Sequence, residues 1–235
     1  MESLITQSSA PSSRRDFFKR AGAGVSVLGA AAALQACDST DEPTTTSNLE
    51  LDFSSDVGVL NYAYALEQLE AAFYSKVITA SNFTTLFPDA TEQAILRDIA
   101  AHEALHDDFF NKAITAAAPT KILPRLTATF PAAALASRTS ILTTALTFED
   151  LGVSAYNGAG KYFTSRDYLT LAGKIVSVEA RHASIIAGLL TPNAVASANQ
   201  LDANALDKSN PPRFVLGMAQ TYITEQITVK AGTGL

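Results

Sequence analysis

Glu67-Gln68-Leu69-Glu70-Ala71-Ala72-Phe73-Tyr74, followed by Glu103-Ala104-Leu105-His106, sets out a plan that the chain then repeats. The counterparts are Glu149-Asp150-Leu151-Gly152-Val153-Ser154-Ala155-Tyr156 and Glu179-Ala180-Arg181-His182. On a helix, residues three apart share a face, so each Glu-x-x-His pair can grip one metal ion from one side. Seven residues fall ~20° short of two full turns, so the glutamate and tyrosine of each Glu-x6-Tyr segment lie along one stripe. What repeats is a set of chemistry-bearing residues, and it calls for four helices in two pairs.

The apolar pattern supplies those helices. Leu60, Tyr64, Leu66, Leu69, Phe73 and Val77 recur at three- and four-residue spacing and predict a helix over 57–80. Asn82, Pro88 and Asp89 end it, and Thr91 opens a second helix to about Ala118, with Glu92 in its first turn. A third spans about 132–158, closed by Gly158 and Gly160, and a fourth starts near Ser165 and stops before Pro192. Short loops within each pair predict two antiparallel hairpins. Residues 119–131, with Pro119, Pro124 and Pro131, separate them. Such a segment reaches ~43 Å when extended, against ~37 Å for helices of ~25 residues, so it can run the length of the bundle. The expected fold is all-α: a four-helix bundle over 56–190, two antiparallel hairpins joined by a long crossover, with a C-terminal extension over 191–235. Pro211-Pro212 predicts a fifth helix through Gln220, and the alternating stretch from Tyr222 to Val229 is read as helix as well.

Four carboxylates facing one core (Glu67, Glu103, Glu149 and Glu179) would repel one another and carry a heavy desolvation cost. Two divalent cations offset that charge. Mixed carboxylate and imidazole donors suit Fe or Mn better than Ca, and a soft metal would want thiolates. Glu70, one turn from Glu67, is an alternative ligand, although the matched spacings to Tyr74 and Tyr156 favour Glu67. A single Glu-x-x-His is a weak signal, since it usually marks a solvated face. Two of them on alternate helices, with Glu-x6-Tyr segments between, are hard to produce by accident. His102-Glu103-Ala104-Leu105-His106 also matches the zinc-protease motif, in which both histidines bind metal and the glutamate is a general base. That reading needs a third ligand downstream and an open position for water. The next acidic residue after Asp108 is Glu149, on another helix, and Glu179 and His182 are left unexplained. His102 is expected to be a polar neighbour on the side of its helix.

Over about residues 56–190 these motifs resemble the ferritin-like superfamily, which includes bacterioferritin and rubrerythrin. More closely they resemble exported bacterial ferritin-like domain proteins, related to plant desiccation-related proteins. The resemblance implies a ferritin-like bundle with a di-iron or di-manganese centre. Glu67, Glu103 and His106 would serve one ion and Glu149, Glu179 and His182 the other, with Glu103 and Glu179 as bridges. Tyr74 and Tyr156 read equally as donors behind the ligands, as redox partners, or as core tyrosines with paired hydroxyls. One departure stands out. In bacterioferritin-like proteins a carboxylate precedes the Glu of each Glu-x-x-His and can serve the opposing histidine. Here those places hold His102 and Val178, so the support behind the ligands is different or asymmetric.

The 235-residue chain is 47% hydrophobic and 17% charged, a globular composition. Its first residues read as a signal and not as part of the fold. Arg14-Arg15-Asp16-Phe17-Phe18-Lys19 is a twin-arginine stretch, and residues 21–36 form a weakly apolar run too short to span a bilayer stably. Leu34-Gln35-Ala36-Cys37 then resembles the cleavage box of bacterial lipoproteins, in which the Cys is lipidated, and Cys37 is the single cysteine of the chain. The expectation is a Tat-type lipoprotein signal over 1–37, a flexible tether over 38–55, and a protein held at a membrane surface, periplasmic or on the cell exterior. With four basic and two acidic residues in the first 37, the remainder has 13 basic and 21 acidic, a net of −8. An acidic domain without basic clusters is a poor nucleic-acid binder.

The function expected is that of an exported dinuclear Fe or Mn protein, an oxidoreductase acting on O2, peroxide or ferrous iron in oxidative or desiccation stress. The alternative is a non-enzymatic metal-binding or interaction bundle. A lipid tether on every subunit suits a monomer or dimer better than a closed cage.

Overall fold

The computed structural model describes residues 48–230. They run β1 (Asn48–Leu51), α1 (Asp56–Thr79), the short α2 (Phe83–Leu86), α3 (Ala90–Ala117), α4 (Arg138–Ala159), α5 (Arg166–Leu190), α6 (Pro212–Ala219) and β2 (Gln226–Val229). The expected signal, its Cys37 and the first part of the tether lie outside these residues.

Side-chain oxygens set the helix starts. Asp89 accepts from the backbone N–H groups of Thr91 and Glu92 at 2.6 and 3.2 Å, and Ser165 accepts from that of Tyr168. Ser137 and Ser140 cap each other reciprocally. This cap corrects the third helix. The residues expected to open it, Ala132–Leu135, form a separate 3-10 turn, and α4 begins only after Ser137.

α1 packs against α3, and α4 against α5, as two hairpins. Contacts between helices fix their directions. Tyr74 on α1 meets Glu149 on α4, and Glu67 meets Tyr156, so α1 and α4 are antiparallel. The segment between α3 and α4 must therefore travel the bundle's length. It is pinned to α1 by two buried amides one heptad apart. Asn61 accepts from Leu123 N–H and donates to Lys121 C=O, both at 2.8 Å. Gln68 accepts from Leu126 N–H at 2.9 Å. With α3, α4 and this crossover around it, α1 is buried at every residue from Gly58 to Glu70, which explains why apolar and small residues fill it apart from Asn61, Glu67, Gln68 and Glu70. Phe73, Phe130, Phe148 and Tyr222 form an aromatic cluster joining α1, the crossover, α4 and the C-terminal segment, with Phe73–Phe148 rings 5.1 Å apart.

Gly160 caps α4 as expected, and Gly158, in its last turn, has a further part: a Cβ there would fall 1.8 Å from the carbonyl oxygen of Asn210, so its hydrogen lets the C-terminal segment cross the helix. Two further expectations are corrected. Residues 226–229 form a strand, not a helix, because Ile227 and Val229 alternate inward while Gln226 and Thr228 face out, and β1 offers an edge. The tether ends earlier than expected. Residues 48–51 pair in parallel with β2, Asn48 opposite Gln226 and Leu51 opposite Val229, and buried Leu51 and Phe53 anchor this part of the chain. The fifth helix, α6, starts at Pro212 with proline in its first turn.

Candidate metal centre

Four helices each present one glutamate to the middle of the bundle: Glu67 from α1, Glu103 from α3, Glu149 from α4 and Glu179 from α5, all 0% exposed. His106 and His182 come one turn after the glutamates of α3 and α5, and both turn Nδ1 inward. His106 Nδ1 lies 2.9 Å from Glu179, 3.3 Å from Glu67 and 3.4 Å from Glu103. His182 Nδ1 lies 2.8 Å from Glu103, 3.4 Å from Glu179 and 3.5 Å from Glu149. Two donor groups result, Glu67–Glu103–His106–Glu179 and Glu103–Glu149–Glu179–His182, each with its donor atoms within 4.8 Å of one another. Glu103 and Glu179 belong to both.

The fit to a metal rests on the inner atoms. Glu67 Oε2, both oxygens of Glu103 and Glu179, Glu149 Oε2 and the two Nδ1 atoms are fully buried and in contact, yet none is aligned for a hydrogen bond. Orphaned buried polar atoms are costly, and oxygens and imidazole nitrogens converging on common points are what a cation needs.

The outer oxygens are tied down. Tyr74 donates to Glu149 Oε1 and Tyr156 donates to Glu67 Oε1. Each tyrosine thus serves the glutamate of the other helix, not the one on its own stripe. Burial first, then the neighbouring carboxylate, raises both phenols, so they keep the proton they donate. Burial and the nearby Glu179 push Glu67 up to about 8. Burial likewise pushes Glu149 well above the usual carboxylate range, against the pull of His182. Burial alone would lower the imidazoles, but the surrounding carboxylates outweigh it and push His106 and His182 up to about 12. Glu179, between the two rings, is held down to about 2 despite its burial. The protons kept on Glu67, Glu149 and the imidazoles are the positive charge that divalent cations would displace.

Glu70 is also buried and is pushed well above its ordinary range, by burial first and by Glu179 next. It stands apart from both donor groups. Its place is made by Gly152, where a Cβ would lie 3.1 Å from Glu70 Oε1.

His102 is more than the polar neighbour expected. It stands at the place from which the residue before Glu103 can serve the opposing histidine, and its Nδ1 lies 2.9 Å from His182 Nε2 with the two rings within 19° of parallel. The outer edges of His106 and His182 line a groove of about 480 Å³ between α3 and α5, flanked by Asp98, Arg181 and the exposed Leu105 and Ile185.

Fold and site together define an all-α bundle with a carboxylate–histidine centre suited to metal. The ferritin-like domain model matches residues 55–192, more than half of the chain, and the protein belongs to that family. No curated protein matches it significantly in sequence.

Proposed function

We propose that this protein holds two Fe or two Mn ions and acts as an oxidoreductase on O2, peroxide or ferrous iron. The observation that carries the reading is the set of eight inward donor atoms, buried and without aligned hydrogen bonds, shared between two groups through Glu103 and Glu179. When bound, such a pair would supply two-electron redox chemistry, giving electrons to a small oxidant or accepting them from a small reductant. The chain's own residues do the rest. Glu103 and Glu179, common to both donor groups, would hold both ions, with Glu67 and His106 serving one and Glu149 and His182 the other. Tyr74 and Tyr156 hold the outer glutamates in place. The apolar core excludes bulk water, and the groove between α3 and α5 offers small molecules a way to the histidine side.

Metal per chain, measured by elemental analysis on protein purified natively from a metal-replete host, tests the reading. About two Fe or Mn are expected, falling in Glu103→Ala and His182→Ala. Little metal in any sample would sink it, and two ions without O2 or peroxide turnover would leave a metal-holding bundle.

The same reading includes export by a Tat-type route and anchoring through lipidated Cys37. Among the described residues no helix is long and apolar enough to cross a membrane. Replacing Arg14 and Arg15 with Lys should keep the protein inside the cell, as fractionation would show. Normal delivery of that variant would refute the Tat assignment.

A further inference from the structure

The two halves of the site share their glutamates, histidines and tyrosines, and two of the positions at which they differ lie against the site. Where one half has Glu70 the other has Gly152, and where one has His102 the other has Val178. The first difference lies in the core, and the second falls behind an imidazole. His182 is held at both nitrogens, with Nδ1 2.8 Å from Glu103 on the inner side and Nε2 2.9 Å from His102 Nδ1 on the outer. His106 presents its Nδ1 to carboxylates in the same way. Among the described residues, however, no side chain bonds its outer nitrogen, and its side chain is 14% exposed against 5% for His182. Val178 has only methyl groups to offer the groove it shares with His106.

An imidazole that gives its Nδ1 lone pair to a cation must carry its proton on Nε2. For His182 that proton has an acceptor in place, His102 Nδ1, which in turn puts the proton of His102 on its own Nε2. The His182 ring is therefore held on both sides, with its angle set and Nε2 kept as the donor, before any ion arrives. His106 is held on its inner side alone. Partners of this kind are worth roughly 10- to 100-fold in metal affinity. Resting on the dinuclear reading, we propose that the two metal positions are unequal. The Glu103–Glu149–Glu179–His182 position fills first and holds its ion more tightly, and His102 is the positioning residue that makes it so.

Mn2+ added to the metal-free full-length protein, with unbound ion counted by its aqueous EPR signal, reads both positions without any turnover. The wild-type chain is expected to take two ions in steps about tenfold or more apart. His102→Ala should weaken the tighter step about tenfold or more and leave the weaker one within about twofold. His102→Asn, whose amide oxygen sits where Nδ1 sat, should restore most of that loss. Val178→Asn, which gives His106 an acceptor, should tighten the weaker step. Unchanged helical circular dichroism in each variant separates these effects from misfolding. Two ions still bound by His102→Ala with both steps unchanged, or both weakened alike, would overturn the role of His102 and leave the dinuclear reading standing. Fewer than two ions in the wild-type chain would overturn that reading, and this proposal with it.

Discussion

Each tyrosine of the Glu-x6-Tyr segments reaches across to the opposite helix. Tyr74 donates to Glu149 and Tyr156 to Glu67, because α1 and α4 run antiparallel and a residue two turns on from one glutamate comes level with the other. The spacing put tyrosine and glutamate on one stripe but held nothing about helix direction, so this crossing was not legible. The Glu-x-x-His pairs were legible, since three-residue spacing fixes a shared face whatever the tertiary packing. His102 was half-legible: its place before Glu103 was plain, but its partner is on a helix eighty residues away. Removing either phenol leaves a buried carboxylate oxygen without its donor. Tyr74→Phe and Tyr156→Phe should each cost about 1–3 kcal/mol of stability and about tenfold in metal affinity, as read by thermal melts and by metal competition. Wild-type affinity in both variants would reduce these tyrosines to packing.

At the scale of elements, the crossover and the C-terminal segment decide how well the four helices are held. Proline content and length were enough to identify the crossover. The amides that pin it, Asn61 and Gln68, read as ordinary helix positions because their partners are backbone groups some sixty residues away. Gly158 and Gly160 were read together as a helix end because glycine commonly closes helices; Gly160 is that cap, but that the hydrogen atom of Gly158 admits the carbonyl of Asn210 was not legible. In Gly158→Ala the new methyl cannot share that space with rigid backbone, so the segment around Asn210 must lift from α4. The expected loss is about 1–3 kcal/mol, with faster proteolysis between α5 and α6. Wild-type stability and protease resistance would contradict the close approach.

For the whole molecule, the buried charges make stability a function of pH. Glu67 has its pKa raised to about 8 on folding, and His106 and His182 have theirs raised to about 12. A raised group contributes stability that is complete below its unfolded value and is lost as pH climbs through the folded one. Glu179, lowered to about 2, acts in the opposite sense, and its contribution disappears as pH falls toward that value. The metal-free protein should be most stable near about pH 5 and lose stability steadily toward about pH 9. Bound divalent ions displace those protons and bind more tightly as pH rises, so the loaded protein should lose much less. Melting temperatures with chelator and with Mn2+ across this range check both arms, and a flat metal-free profile would contradict the buried protons. The pairing of β1 with β2 has a separate consequence. Because Leu51 and Val229 sit side by side, the chain from residue 48 to residue 230 is nearly a closed ring. A short flexible bridge from residue 230 back to residue 48 would complete it, and the ring could then be cut anew in the loop between α5 and α6 with every ligand still in place.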